Sequence, residues 1–588
     1  MRFSQDRLRE LLLLTGFCGF FFFFRLSGIG LLGPDEPRYA QVAREMLARH
    51  DWVTPVLYGH AWLEKPVLLY WGEMLSYTLF GVSDWAARIP SAVAATLLVF
   101  GTFFTVRRIR FAARLDAAIV IASSVLVLGF ARAAATDMLL AAPFGLSLLA
   151  WFCWYQSCWE PQVAQVSPPL AHVGAERNVP PSAARLWLVL FYALNALAML
   201  AKGPVASALA ALVLIAFCTS QRNWRALLRS LDPIGLAVFF AVAAPWYVLV
   251  QLRTPEFFRV FFLEHNLARF GSNLYRHKQP IWYYIPVALV ATLPWTVWLF
   301  HGLGDAFRAL RAPAPAHRAA SSAAHPSAPG GSDTPRAPGY TFEIFLALWA
   351  LVPIVFFSLS RSKLPGYILP SVPALLILAA VAVHRRAARG ERPRWTSIAV
   401  HAVLLAALAA ALCIAPRLIL KLPASAQSLM IGAFVGTAVF LIVALPLLII
   451  GWPTWRFVTL LPLILGVGFV VRGVAPELDA TQSARPVAEL LQQIEQPGRL
   501  PLATFALNRN TAFGLAFYLN RRVAPYEGLE ISPTVYELPA AIPASAHILV
   551  TRENSLLALR LLLGNRTLRF IGSYRPQRIE IYEVSPAP

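Results

Sequence analysis

The chain has 588 residues, 58% hydrophobic and 14% charged, with 51 Lys and Arg against 30 Asp and Glu for a net charge of +21. At a mean hydropathy of +0.59 it is too apolar and too sparsely charged for a set of soluble domains, and reads as a polytopic membrane protein. The basic residues sit mainly in short loops between apolar runs, so topology accounts for the charge better than nucleic acid does, and no nucleic-acid partner is expected.

The first apolar run, roughly residues 9 to 27, follows Arg2, Arg7 and Arg9 and carries a five-Phe block closed by Arg25. It is long and lacks a small-residue cleavage site, so an uncleaved first helix is expected rather than a signal peptide. The next segment, about 28 to 87, carries Trp52, Trp62, Trp71 and Trp85, the pattern of helices lying in the membrane interface. Within it, Gly33-Pro34-Asp35-Glu36-Pro37-Arg38-Tyr39 puts two adjacent carboxylates at a membrane surface, with Pro37 expected as the first helical residue. One of them, Glu36 above all, then suits a helix cap, whereas Asp35, flanked by Pro34, suits a catalytic or substrate-orienting role. Along this helix Tyr39, Val42, Ala43, Met46 and Leu47 share one face, while Arg38, Gln41, Arg44, Glu45 and Arg49 take the other.

Apolar stretches long enough to span recur about thirteen times, centred near residues 18, 97, 123, 147, 193, 211, 241, 291, 350, 374, 405, 439 and 463. With the N-terminus inside, one side receives Arg107, Arg108, Arg110 and Arg114, then Arg222, Arg225 and Arg229, then Arg308, Arg311 and Arg318, then Arg385, Arg386, Arg389, Arg392 and Arg394. That is a consistent positive-inside pattern and leaves the C-terminus outside. The five cysteines, Cys18, Cys153, Cys158, Cys218 and Cys413, fall in or beside apolar spans and support neither a disulfide framework nor a Cys metal cluster. The Pro/Ala/Ser-rich stretch 311–338 reads as a flexible inside linker. Residues 473–588 alternate helix candidates (Val487 to Ile494, Asn554 to Leu563) with strand candidates (Leu502 to Leu507, His547 to Thr551, Thr567 to Ile571, Arg578 to Val584), the pattern of a small α/β domain outside the membrane. It holds no glycine-rich phosphate loop or catalytic triad pattern, so covering the site or binding a partner is its expected role. The sequence shows no internal repeat of the kind common in transporters.

Three outside lysines share a context: Lys65-Pro66, Lys202-Gly203-Pro204 and Lys363-Leu364-Pro365. Each precedes a Pro expected to begin an apolar helix, and a helix N-terminus beside a Lys makes an anion site. Together they suit one or two phosphates at the membrane surface; singly, each could be a snorkelling anchor. Glu64 adjoins Lys65 and could form a surface ion pair with it. Asp137, in a short outside turn, could pair with Arg132 or face a cavity. The polar segment Glu264-His265-Asn266-Leu267-Ala268-Arg269-Phe270, followed by Tyr275-Arg276-His277-Lys278, lies between two spans. Its His residues, His265 first, could join Glu64 on a divalent metal such as zinc, although the spacing matches no standard zinc pattern. Otherwise it is a hydrogen-bonded loop with a basic surface facing anionic lipid.

Pro34-Asp35-Glu36-Pro37-Arg38-Tyr39-Ala40, Asp51-Trp52-Val53-Thr54-Pro55, Glu64-Lys65-Pro66, Lys202-Gly203-Pro204, Glu264-His265-Asn266 with Arg269-Phe270, and Ser362-Lys363-Leu364-Pro365-Gly366-Tyr367 stand in an order that resembles the bacterial aminoarabinose transferases. These are lipid A modifying members of the protein-mannosyltransferase-like glycosyltransferase group. The resemblance implies a polytopic GT-C fold with interfacial helices and a C-terminal soluble α/β domain. It implies an undecaprenyl phosphate carrier of 4-amino-4-deoxy-L-arabinose as donor and a lipid A phosphate as acceptor. Reaction at the periplasmic face of the bacterial inner membrane and resistance to polymyxin are also implied. By the same resemblance Asp35 takes the essential acidic position, Lys65 the phosphate-contacting one and Glu64 that of the neighbouring acid, while Tyr58, Lys363 and Tyr367 line the cavity. Arg38, Asp137, Lys202 and Arg269 complete the expected substrate-binding set.

If the acceptor is a phosphate, it is an anion before it attacks and needs no general base, so Asp35 would handle the sugar. A hydroxyl acceptor would make Asp35 the natural base. A polyprenyl-phosphate hexose transferase acting on a protein or glycan hydroxyl and a non-enzymatic lipid transporter are the alternative readings.

Overall fold

The computed structural model describes residues 2–159, 181–268, 279–311, 341–419, 425–494, 500–532 and 536–586. Nine of its helices are long and apolar enough to cross a membrane, or up to eleven if each of two bent pairs is one span, by length and composition alone among the described residues. The expected centres 123 and 291 fall at the bends: Phe111–Ala122 meets Val125–Ala131 at 61°, and Ile281–Ala291 meets Thr296–Arg311 at 117°. Pro294 stands in the second break, where a residue without an N–H cannot continue the ladder. The expected centres 18 and 211 belong to Arg2–Cys18, continued by a π-helical turn Gly19–Phe23, and to the shorter Val205–Ser220. Of the thirteen expected spans, nine to eleven meet the length and composition criterion among the described residues. The linker 311–338 lies, beyond Arg311, outside the described residues.

One end of the helix assembly gathers the arginine-rich loops. Arg110 reaches Glu343 Oε2 at 3.5 Å, Arg385 pairs with the other oxygen of Glu343, and Arg386 grips Asp305 at 2.8 and 3.0 Å. Loops far apart in sequence thus share buried carboxylates, as the charge pattern requires of loops on one side.

The opposite end carries the first interfacial segment: helix Asp35–Ala48, the hairpin β1 (Val56–Leu57) and β2 (His60–Ala61), and helix Leu68–Phe80. Helix Asp35–Ala48 begins at Asp35, with Pro34 as its cap, so both carboxylates stand in the first turn instead of preceding Pro37. Gly33, at φ +63°, makes the turn that allows this early start. Tyr39, Val42, Ala43 and Met46 are buried as expected, but so are Arg38 and Gln41 on the expected polar face. That face is covered by the C-terminal region.

The final apolar helix, Trp452–Gln482, runs directly into that region. Strands β3 (Leu502–Phe505), β4 (Val523–Pro525), β7 (His547–Arg552), β8 (Leu568–Tyr574) and β9 (Ile579–Val584) form a sheet in the order β4-β3-β7-β9-β8, with β5 (Leu529–Ser532) and β6 (Tyr536–Leu538) as a separate pair. β3 is parallel to β4 and β7, and β9 antiparallel to β7 and β8. The four strands and two helices expected from the sequence are present. Helix Arg509–Leu519 and β4 to β6 are additional. The region docks on the first segment through Asp479 Oδ1, which accepts from Gly30 N at 2.7 Å, Tyr518, whose hydroxyl accepts from Leu31 N at 2.8 Å, and an Arg485–Asp84 pair at 2.8 Å.

Candidate active site

The start of helix Asp35–Ala48 is held by Glu36, which is a structural hub. Its two oxygens accept from Arg88 Nε at 3.1 Å and Nη2 at 2.8 Å, from Leu32 N at 2.6 Å and from Ala134 N at 2.7 Å. Fully engaged and buried, it has no lone pair to offer a substrate. Its neighbour Asp35 points the other way: the side chain is 57% exposed and pairs with Arg38 one turn later, whose side chain is 9% exposed. The Arg38 guanidinium lies 4.8 Å from the Trp62 ring, 5.5 Å from Tyr39 and 6.0 Å from Phe513, an aromatic cage that fixes a cation by cation–π attraction. Burial works to lower the Arg38 pKa, but the Asp35 and Glu64 carboxylates outweigh it and the net shift is upward, so the charge persists. The Tyr39 hydroxyl is pushed well up, by burial first and then by Asp35, and stays protonated.

Glu64 is buried instead of lying on the surface beside Lys65, and it faces His265 at 3.7 Å, also buried. The two expected metal donors therefore meet. Among the described residues no group of three or more His, Cys, Asp or Glu is placed to hold a metal, so the pair alone would fill only two of the four positions of a tetrahedral zinc shell. Lys65 is half-buried in the turn that enters helix Leu68–Phe80. Tyr58 is buried at φ +53°, its N–H and that of Gly59 donating to the Glu45 carboxylate at 2.9 and 3.1 Å, its ring 6.2 Å from Phe513. The Asp51 motif ties this segment to helix Pro233–Arg253: Asp51 Oδ1 accepts from Val53 N and pairs with Arg253 at 2.8 Å, and Trp246 Nε1 donates to Val53 O at 2.9 Å.

A second cluster adjoins through the 134–137 turn, whose Ala134 N–H is held by Glu36. Asp137, in the first turn of helix Thr136–Trp159, binds Lys202 Nζ at 2.6 Å, and that ammonium lies 5.3 Å from the Tyr367 ring. Arg132 does not take the part of Asp137's partner; it donates to the carbonyls of Phe21, Phe24 and Arg25. A Cβ on Gly366 would stand 2.9 Å from Asp137 Oδ1 and 2.6 Å from the Phe130 ring, so glycine there lets the Tyr367 loop close on the pair. Lys202 is the last residue of its helix, not the residue before a new one, and so sits at a C-terminal, partially negative end. Lys363 is buried and donates to Ser360 O at 2.5 Å and Gln279 O at 3.1 Å, which makes it an anchor for its loop. Of the expected trio of lysines, Lys202 and Lys363 are engaged by protein oxygens, a carboxylate and two carbonyls at those loop ends. Arg269 lies outside the described residues.

Residues 27–261, which include Asp35, Arg38, Glu64, Lys65, Asp137 and Lys202, match the family model of dolichyl-phosphate-mannose-protein mannosyltransferase. The chain is similar to an undecaprenyl phosphate-α-4-amino-4-deoxy-L-arabinose arabinosyl transferase of Erwinia tasmaniensis, 29% identical over 476 residues covering 80% of this chain and 77% of that protein. It is similar to one of the same name from Pseudomonas aeruginosa, 33% identical over 65% of this chain; it spans 60% of that relative's length. The crystal structure of ArnT from Cupriavidus metallidurans bound to undecaprenyl phosphate superposes with a TM-score of 0.72 at 24% identity, covering 97% of each chain. The chain therefore has the fold of ArnT, and the family model and the relatives it matches are those of lipid-linked glycosyltransferases.

Two contributors to this glycosyltransferase's site were not read from its sequence. Phe513 reaches Arg38 and Tyr58 from a C-terminal helix that carries no motif. Glu45 has the spacing of an ordinary polar-face residue, and only the chain reversal at Tyr58-Gly59 shows what it holds. Beside them, between helix Asp35–Ala48 and the C-terminal region, a cavity of about 290 Å³ is lined by Tyr58, Arg49, Arg521 and Arg522.

Proposed function

We propose that this glycosyltransferase moves 4-amino-4-deoxy-L-arabinose from undecaprenyl phosphate to a phosphate of lipid A, at the periplasmic face of the bacterial inner membrane, and thereby raises resistance to polymyxin and other cationic peptides. The observation that carries the reading is the exposed Asp35 carboxylate, locked by a buried, caged Arg38 within a fold and family whose relatives bear that activity in their names. In the reaction an oxygen of the acceptor phosphate attacks the sugar's anomeric carbon. The bond from that carbon to the carrier phosphate breaks, and undecaprenyl phosphate leaves with the bonding pair. No proton need move, so no general base is required. Asp35 pairs with the sugar's ammonium group and stabilises positive charge developing on the ring, a role for a fixed anion that needs no reorganisation. Lys65 meets the carrier phosphate as its negative charge grows. Lys202 and Asp137, with Tyr367 over them, shape the wall.

We retain a divalent cation as part of the proposal. Glu64 and His265 would hold it, and when bound it would neutralise phosphate charge.

The test is mass spectrometry of lipid A from cells with and without the chain. A pentosamine increment that requires Asp35 is expected. A hexose on another acceptor would point to the mannosyltransferase-like alternative, and no product from purified protein with both lipids present would leave only transport.

A further inference from the structure

At the arginine-rich end, opposite Asp35, a cavity of about 700 Å³ is lined by Arg308, Arg386, Arg389, Arg392 and Arg394 against one carboxylate, Glu391. It belongs to neither cluster of the candidate active site. Its floor is fixed: Asp305 binds Arg386 and Arg308 from beneath, Trp452 Nε1 donates to Glu391 O at 2.7 Å, and Glu391 N donates to Arg386 O at 3.1 Å. Gly390, at φ +67°, turns the chain at the helix end so that the loop folds back over the basin. Arg392 and Arg394 are exposed and pair with no carboxylate among the described residues, which leaves their charge facing the opening.

The basin continues into a second cavity. Phe300, His301 and Arg394 also line a second, mainly apolar cavity of about 550 Å³. That groove runs between helices Thr296–Arg311 and Trp395–Ile419, past Val290, Val400 and Leu404. Val290 and Val400 are both more than half exposed on a surface whose helix is mostly unburied, so this side faces acyl chains. A positively charged cup continuous with an apolar, lipid-facing groove is complementary to one kind of molecule, an amphiphile with a phosphate head. A zwitterionic choline headgroup would bring its cation against the unpaired arginines.

We infer that the Arg386–Arg394 basin and the Phe300–Val400 groove together form a binding site for an anionic glycerophospholipid, its phosphate held by Arg392 and Arg394 and an acyl chain in the groove. The positive-inside rule places the site in the cytoplasmic leaflet, where anionic lipids and basic pockets between helices meet. The inference does not depend on the proposed reaction.

Native mass spectrometry of the full chain in detergent, with added palmitoyl-oleoyl phosphatidylglycerol, the matching phosphatidylcholine and sn-glycerol 3-phosphate, tests it. Phosphatidylglycerol is expected to be retained far better than either of the others. The double variant Arg392→Gln/Arg394→Gln, which removes no buried contact, is expected to weaken retention about thirtyfold, from roughly fivefold per arginine. Val400→Trp, which fills the groove and leaves every arginine in place, is expected to weaken it as well. Equal retention of the two lipids, glycerol phosphate bound as well as the lipid, or unchanged retention by both variants would overturn the site.

Discussion

Arg38 lies buried beneath Asp35, one helical turn away, so that aromatic rings fix the guanidinium while the carboxylate it holds faces outward. The pair separates two jobs usually combined in one residue, since Arg38 sets position and Asp35 meets the substrate. Asp35→Asn keeps a hydrogen-bonding partner for Arg38 but removes the charge. Transfer is expected to fall by about a hundredfold or more with little change in melting temperature. A variant with full activity would remove Asp35 from the mechanism.

Lys65 and Lys363, equivalent in their sequence context, are expected to differ in kind. Lys65→Ala should raise the KM for the lipid-phosphate donor and lower kcat, leaving the fold intact. Lys363→Met would strip the buried Ser360 carbonyl, and the more open Gln279 carbonyl, of their donor, and should cost about 1–3 kcal/mol of stability. Measuring donor KM and thermal unfolding on both variants checks the distinction; the reverse pattern would restore Lys363 as a phosphate ligand.

How this distinction escaped the sequence is physical. Each Lys-before-Pro string has the pattern of a helix start, yet in Lys202-Gly203-Pro204 the glycine adopts φ +92° and splits the string into the end of one helix and the start of the next. The apolar segments were legible because a membrane demands long apolar runs, which composition alone displays. Bends were not, since apolar residues flank Ser123 and Pro294 on both sides. Asp35 was legible as an odd carboxylate at a membrane surface. Its cage was not, because Phe513 arrives from another region through packing that leaves no periodic trace near residue 38.

Asp137 and Lys202 bridge helices Thr136–Trp159 and Pro181–Lys202 with both side chains under a fifth exposed. Asp137→Asn and Lys202→Met should each destabilise the protein, and the double variant should do so by less than their sum. A coupling of about 0.5–3 kcal/mol is expected from a thermodynamic cycle. Strict additivity would show that the ion pair contributes nothing.

For Glu64 and His265, metal analysis of purified protein is the direct measurement. A cation held by the pair should be lost in both Glu64→Gln and His265→Ala, and chelation should lower activity in the wild type while leaving the residual activity of the variants unchanged. Equal metal content in all three proteins would put any cation elsewhere.

Glu73 offers a prediction in pH. It lies in helix Leu68–Phe80, fully buried, and neither carboxyl oxygen has a hydrogen-bond partner among the described residues. Burial first, then the Glu36 carboxylate, pushes its pKa well above the ordinary 4.5. In the folded protein it therefore keeps its proton to a higher pH than in the unfolded chain, where it ionises above 4.5. Below that pH both states are protonated and Glu73 carries no penalty. As pH rises through 4.5 the unfolded state gains from ionisation that the folded state forgoes, so stability falls by up to about 1.4 kcal/mol per pH unit until the folded-state pKa is reached. Glu73→Gln removes the titration with little change of shape. The difference in unfolding free energy between variant and wild type should be near zero at pH 4 and grow in favour of the variant toward pH 7. Denaturant unfolding in detergent across that range measures it, and a pH-independent difference would mean that Glu73 is ionised, or solvated, in the native protein.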